Sequence, residues 1–114
     1  MSLKKQLYKM VLRSNRLTKL FEMVLGQGIR ALAFYPFIIM PRATVIDEVL
    51  INHERIHLRQ QLEMLILPFY IWYLIALRRK GYWNICFEKE AYANENNLDY
   101  LKKRRIFAFL RYLD

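Results

Sequence analysis

The two histidines of this 114-residue chain, His53 and His57, stand four positions apart in the stretch NHERIHLRQQLE (52–63), and Glu54 directly follows the first. On an α-helix, positions i and i+4 share a face one turn apart, so two imidazoles can converge on one ion. Glu54 is rotated enough to miss that ion yet reach a water bound to it. The pattern is His-Glu-x-x-His: two imidazole ligands, a carboxylate base and a third ligand from elsewhere. A zinc ion so held lowers the pKa of bound water to about 7, and the carboxylate takes the proton as the water attacks a carbonyl. The plainer alternative is a pair of polar residues packed into a helical core. A correctly spaced pair beside a glutamate favours the metal.

A third ligand has to come from another part of the chain. There is no third histidine, and Cys86 is the single cysteine. That excludes a cysteine-rich zinc site and an internal disulfide. The third ligand is therefore expected to be a carboxylate. Glu63 lies on the same helix and is expected to point away from the histidine pair. Glu88, Glu90, Glu95 and Asp99 follow on a later helix, and one of them must face back. Glu88 and Glu90 differ by about 200° in direction on one helix, and Glu95 lies roughly 140° from Glu90.

Residues 90–94, EAYAN, resemble the E-x-x-A-D/N element of gluzincin metallopeptidases. The order of parts is similar to that of the membrane-embedded β-lactam-sensor peptidases and the CAAX prenyl-protein proteases: the histidine helix, a basic turn, an apolar helix and a glutamate helix. The resemblance covers about residues 45–100. It implies a zincin-like core in which His53, His57 and Glu90 hold Zn2+, Glu54 is the catalytic general base, and Asn94 supports a ligand histidine. It also implies a peptide or protein substrate. Two departures stand out: Asn94 replaces the commoner acidic residue, and the large transmembrane parts of those peptidases are missing. Tyr92 and Tyr100 are the candidates for stabilising an oxyanion.

The elements that must position these groups read as mainly α. The chain is 55% hydrophobic with three Gly and three Pro, a composition poor in turn formers and large enough for one domain over residues 1–114. Residues 1–26 carry apolar residues at helical spacing from Leu3 to Leu25, with Lys and Arg on the remaining circumference, and predict an amphipathic basic helix. ALAFYPFIIMP (31–41) predicts a short edge strand or β-ribbon near 33–40, confined to a sheet edge by Pro36. Its segment Phe34 to Met40 is a candidate for aligning a peptide by strand addition. Thr44 or Asp47 can cap the histidine helix. MLILPFYIWYLIAL (64–77) is uncharged but shorter than the roughly 20 residues that span a bilayer, which predicts a core or interfacial helix. The last helical region runs from about Asn84 through the glutamates.

The net charge of +9 favours anionic partners. An anionic membrane surface fits it, whereas nucleic acid has no recognisable motif in its support. Excess apolar surface also admits a homodimer. The start of the chain lacks the pattern of a signal peptide, so the expected location is the cytoplasm, with a peripheral position at the inner membrane face as a variant. Against the peptidase stands a basic membrane-surface or protein-interaction module whose zinc is structural or vestigial. Glu54 separates the two, because a structural site has no use for it.

Overall fold

A computed structural model describes residues 9–113. It is mainly helical, with a small three-stranded sheet. Strand β1 (Val11–Arg13) leads into helix α1 (Asn15–Leu25), and β2 (Leu32–Phe34) and β3 (Phe37–Met40) form a hairpin. Helix α2 (Glu48–Glu63) carries the histidines, and α3 (Leu67–Lys80) is the apolar helix. Helix α4 (Cys86–Asn94) carries the glutamates, followed by the one-turn α5 (Tyr100–Lys103). Single 3-10 turns at Tyr82–Asn84 and Ala108–Tyr112 complete the order.

The continuous helix expected over residues 1–26 is corrected. Val11–Arg13 is extended and pairs in parallel with Ile38–Met40, and the helix starts only at Asn15. Ser14 decides the boundary: its hydroxyl accepts the Leu17 amide proton at 3.1 Å, a side-chain N-cap. The other end is set by Gly26, whose φ of 76° is open to glycine at little cost. The first eight residues, including Lys4 and Lys5, lie outside the described residues.

The ribbon near 33–40 is present, but its placement in the sheet differs from expectation. The sheet order is β1-β3-β2, so Phe37–Met40 is the central strand and Leu32–Phe34 the outer one. Pro36 falls in the turn between them, where its missing N–H costs no ladder bond. Ile38 and Met40 are buried against Ile51 and Leu58, which seats the sheet on α2.

Asp47 caps α2, its carboxylate accepting the Leu50 amide proton at 2.7 Å. At the other end α2 and α3 meet at a corner of 115°. Leu65 and Ile66 turn it at φ of 61° and 55°, a region that disfavours β-branched residues. Pro68, in the first turn of α3, starts the new helix where a missing N–H is harmless. Phe69, Tyr73 and Ala76 of α3 pack with Phe87 of α4 and Phe109 in one core cluster. This packing fixes α4 beside α2. Among the described residues no single helix is long and apolar enough to cross a membrane.

The glutamate region is not one continuous helix. It stops at Asn94, and Asn52 of α2 explains why: its Nδ2 donates to the carbonyls of Glu95 and Asn97, both at 2.9 Å. The Glu95 carbonyl sits at the helix end, where intrahelical partners run out, and the Asn97 carbonyl also accepts the Tyr100 amide proton at 3.0 Å. The turn so pinned brings Glu95 back towards His53.

Candidate metal centre

Helix α2 is unusual in the polarity of what it buries: Asn52, His53, Glu54, His57, Gln60 and Gln61 are all inside. Buried polar groups need partners, and these find them on α3, α4, β2 and the turn after α4, except for Asn52 Oδ1, which has none among the described residues.

His53 Nε2 and His57 Nε2 lie 3.2 Å apart, and Glu88 Oε1 is 3.1 Å from the first and 3.0 Å from the second. Three donor atoms thus form a nearly equilateral triangle. A tetrahedral zinc with ligands at about 2.0–2.1 Å separates its donor atoms by about 3.3–3.4 Å. The triangle therefore needs only a slight expansion to hold such an ion, and two imidazoles with one carboxylate are a known zinc donor set. His53, His57 and Glu88 are all buried and can hold a metal ion.

The surrounding groups aim these three. Tyr73 donates its hydroxyl proton to Glu88 Oε2 at 2.6 Å, which leaves Oε1 for the histidines. Glu95 Oε1 stands 2.9 Å from His53 Nδ1, and Gln60 Oε1 stands 2.8 Å from His57 Nδ1. Outer partners of this kind orient imidazole ligands and raise their basicity.

Without an ion the cluster is a proton-sharing set. Burial alone would lower the His57 pKa, but the charge and hydrogen bond of Glu88, with Glu54 and Gln60, outweigh it and raise it to about 9. Burial would raise the Glu88 carboxyl, yet the two histidines hold it far below the usual carboxylate range. Glu54 goes the other way. Burial raises its pKa, Glu88 adds to the rise, and the histidines and the Ala33 backbone hydrogen bond only partly oppose it.

The assignment of Glu90 as third ligand is corrected by this geometry. Glu90 is fully buried but belongs to a different cluster. It accepts from Arg104 Nε at 2.5 Å, Arg104 Nη2 at 3.0 Å, Tyr100 at 2.6 Å and Gln60 Nε2 at 3.0 Å. Arg104 is nearly inaccessible and also forks onto Glu63, at 2.7 and 3.0 Å. With α4 turned so that Glu90 meets Arg104, Glu88 must face the histidines, as their angular separation requires. Asn94 does not orient a histidine; its Nδ2 donates to Glu90 O and to the Tyr112 hydroxyl. Tyr100 is committed to Glu90, which removes it as an oxyanion donor. Tyr92 remains: its ring meets His53 edge-on at 4.5 Å, and its hydroxyl pairs with that of Tyr82 at 2.7 Å.

The cluster opens into a cleft of about 490 Å³, lined by Glu54, by the polar Tyr82 and Tyr92, and by the apolar Leu25, Ile29 and Val49. The outer strand β2 borders it. Strand addition there meets an obstacle, because the Gln61 carboxamide already pairs like a strand, donating to Ala33 O and accepting from Tyr35 N, both at 2.7 Å. Tyr70 donates to the same carbonyl.

No protein family, curated protein or solved structure matches this chain.

Proposed function

We propose that this protein is a zinc-dependent hydrolase acting on peptide bonds, with His53, His57 and Glu88 as metal ligands and Glu54 as general base. The observation that carries the reading is the triangle of Nε2, Nε2 and Oε1 atoms at 3.0–3.2 Å, with a fourth ionisable group, Glu54, in the wall of the same cleft. Bound zinc would supply a Lewis acid that polarises a carbonyl and acidifies water. Glu54 takes the proton released in the attack and returns it to the leaving amine. Its burial favours both jobs, since a carboxyl whose pKa is raised towards neutrality is a better proton shuttle. The tyrosine pair keeps its protons: burial, with Glu88 nearby, raises the pKa of both Tyr82 and Tyr92. With the two hydroxyls paired, one proton is used within the pair and the other is left free for a developing oxyanion. Peptide as substrate class rests on the resemblance of the histidine helix to gluzincin peptidases. The plugged edge of β2 means that the substrate is held mainly by the cleft and less by strand pairing.

The test is metal content and hydrolysis together. Protein purified without added metal should carry about one zinc per chain and cleave members of a quenched-fluorescence peptide library, and Glu54→Gln should keep the zinc and lose the cleavage. Zinc bound with no cleavage by the unmodified chain supports the second reading, a membrane-surface module with a structural ion. One observation favours that reading: Leu67, Ile71 and Ile75 form an exposed apolar stripe along α3, and Arg78 follows at its end.

A further inference from the structure

We propose that Gln60 is a positioning residue that fixes His57 as an Nε2 ligand, and that Glu90 and Arg104 act through it. The proposal rests on the reading of the histidine cluster as a metal centre and adds what determines the ligand atom.

Gln60 is fully buried, and its carboxamide has one donor end and one acceptor end. The donor end faces two groups that only accept: the Phe87 carbonyl and Glu90 Oε1, each at 3.0 Å. Rotating the amide by 180° would turn its oxygen against both, leaving three acceptors together with no proton among them. The orientation is therefore settled by chemistry. It follows that Gln60 Oε1 points at His57 Nδ1, at 2.8 Å, and can only accept. His57 must then carry its proton on Nδ1, and the lone pair of the neutral ring is left on Nε2, the atom beside Glu88 and His53.

What keeps Glu90 an acceptor is the Arg104 guanidinium, which pairs with it through Nε and Nη2 and is itself anchored by Glu63 at the end of α2. The sequence of contacts runs from Glu63 through Arg104, Glu90 and Gln60 to His57. It starts and ends on α2, so the histidine and its remote anchor move as one body. Glutamine suits the middle position better than glutamate, which would set a second negative charge against Glu90.

The experiment uses the full chain with 15N-labelled histidine. In the metal-free protein at alkaline pH, where the His57 ring is neutral, the imidazole nitrogen shifts should show His57 protonated on Nδ1, with that proton protected from exchange. Zinc should then shift Nε2 and leave Nδ1–H in place. Gln60→Met keeps the volume and removes all three side-chain hydrogen bonds. It should leave the ring a mixture of tautomers, remove the exchange protection, and weaken zinc binding by roughly ten- to a hundredfold. Glu90→Gln, which gives the far partner a donor and an acceptor end, should produce the same change in milder form. Proton on Nε2 in the unmodified chain, or unchanged Nδ1 protection in Gln60→Met, would overturn the proposal. Should Gln60→Met not fold, the tautomer of the unmodified chain decides alone. A chain that binds no zinc yet shows the protected Nδ1–H supports the positioning role and refutes the metal reading.

Discussion

The hydroxyl of Tyr73 lies 2.6 Å from Glu88 Oε2, so one helix aims the carboxylate that another helix supplies to a pair of histidines on a third. Tyr73 is buried, its pKa is raised first by burial and then by Glu88, and it is a donor at any ordinary pH. Replacing it with Phe should leave the fold intact at a cost of about 1–2 kcal/mol and lower zinc affinity by roughly tenfold. Competition with a chromophoric chelator measures the affinity. Unchanged affinity in Tyr73→Phe would mean that the hydrogen bond does not aim the ligand.

Glu88 and Glu90 should respond oppositely to substitution. Glu88→Gln removes a donor atom from the triangle and should abolish stoichiometric zinc. Glu90→Gln should retain the metal stoichiometry but destabilise the protein by about 3 kcal/mol, because it weakens the buried pairing of Arg104. Elemental analysis and urea unfolding of both variants give the answer. Loss of metal stoichiometry in Glu90→Gln with retention in Glu88→Gln would restore Glu90 as the ligand.

Much of this was legible beforehand, for definite reasons. His53, Glu54 and His57 sit within one helix, where the 3.6-residue period alone settles their mutual placement. The need for a glutamate from the later helix followed from elimination. Which glutamate could not follow, because the rotation of α4 depends on Arg104, ten residues beyond Asn94, in a basic run that reads as solvent-exposed. A buried arginine is cued only by the acidic residues that meet it in space. The break after Asn94 was missed for a similar reason: the run ENN weakens a helix, but Asn52, far away in the sequence, is what takes up the carbonyls. At the N-terminus the periodic apolar residues concealed a strand, and the Ser14 cap was the signal that could have revealed it.

Burial of Glu54 gives a stability prediction with a sign. Its folded pKa is raised, so it contributes stability that is present below its unfolded value of about 4.5 and lost as pH rises through the folded value. At pH 7, well above the unfolded value, burial of Glu54 is therefore a cost to the metal-free protein. Glu54→Gln should raise the melting temperature of the metal-free protein at pH 7 and bring no gain near pH 4. Melting curves at the two pH values, with a chelator present, check this. A lower melting temperature for the variant at pH 7 would contradict the assigned burial cost.

Zinc binding should release protons. The metal-free His57 has its pKa raised to about 9, so at pH 7 zinc must displace a proton from it. In the metal-free state the His57–Glu88 pair has two edges. The raised His57 contributes fully below about 6.5 and is lost as pH rises through about 9. The lowered Glu88 contributes above about 4.5 and is lost as pH falls. The metal-free protein should draw most from the pair between those limits, whereas the stabilisation added by zinc should grow from pH 5.5 to pH 8. Calorimetry in buffers of different ionisation enthalpy should show about one proton released per zinc at pH 7. Binding without proton release would place the ion elsewhere.

The exposed stripe of α3 sets the last expectation. Leu67, Ile71 and Ile75 recur at four-residue spacing on its surface, and the corner before it exposes Leu65. Arg78, Arg79 and Lys80 close the helix, on a chain of net charge +9. A helix laid flat on an anionic bilayer would bury this stripe while its basic end meets the head groups, each charge adding on the order of 1 kcal/mol. Reversible binding to vesicles containing phosphatidylserine is the expected outcome, weakening as salt rises because screening shortens the reach of the charges. Ile71→Glu should reduce it without touching metal content, since the residue faces away from the core. A second copy covering the same stripe predicts something different: a dimer by sedimentation velocity at low salt, no vesicle binding, and Ile71→Glu shifting the protein to monomer. Vesicle flotation and sedimentation on the same two proteins separate the two, and a monomer that ignores anionic vesicles at low salt would remove the membrane surface as a partner.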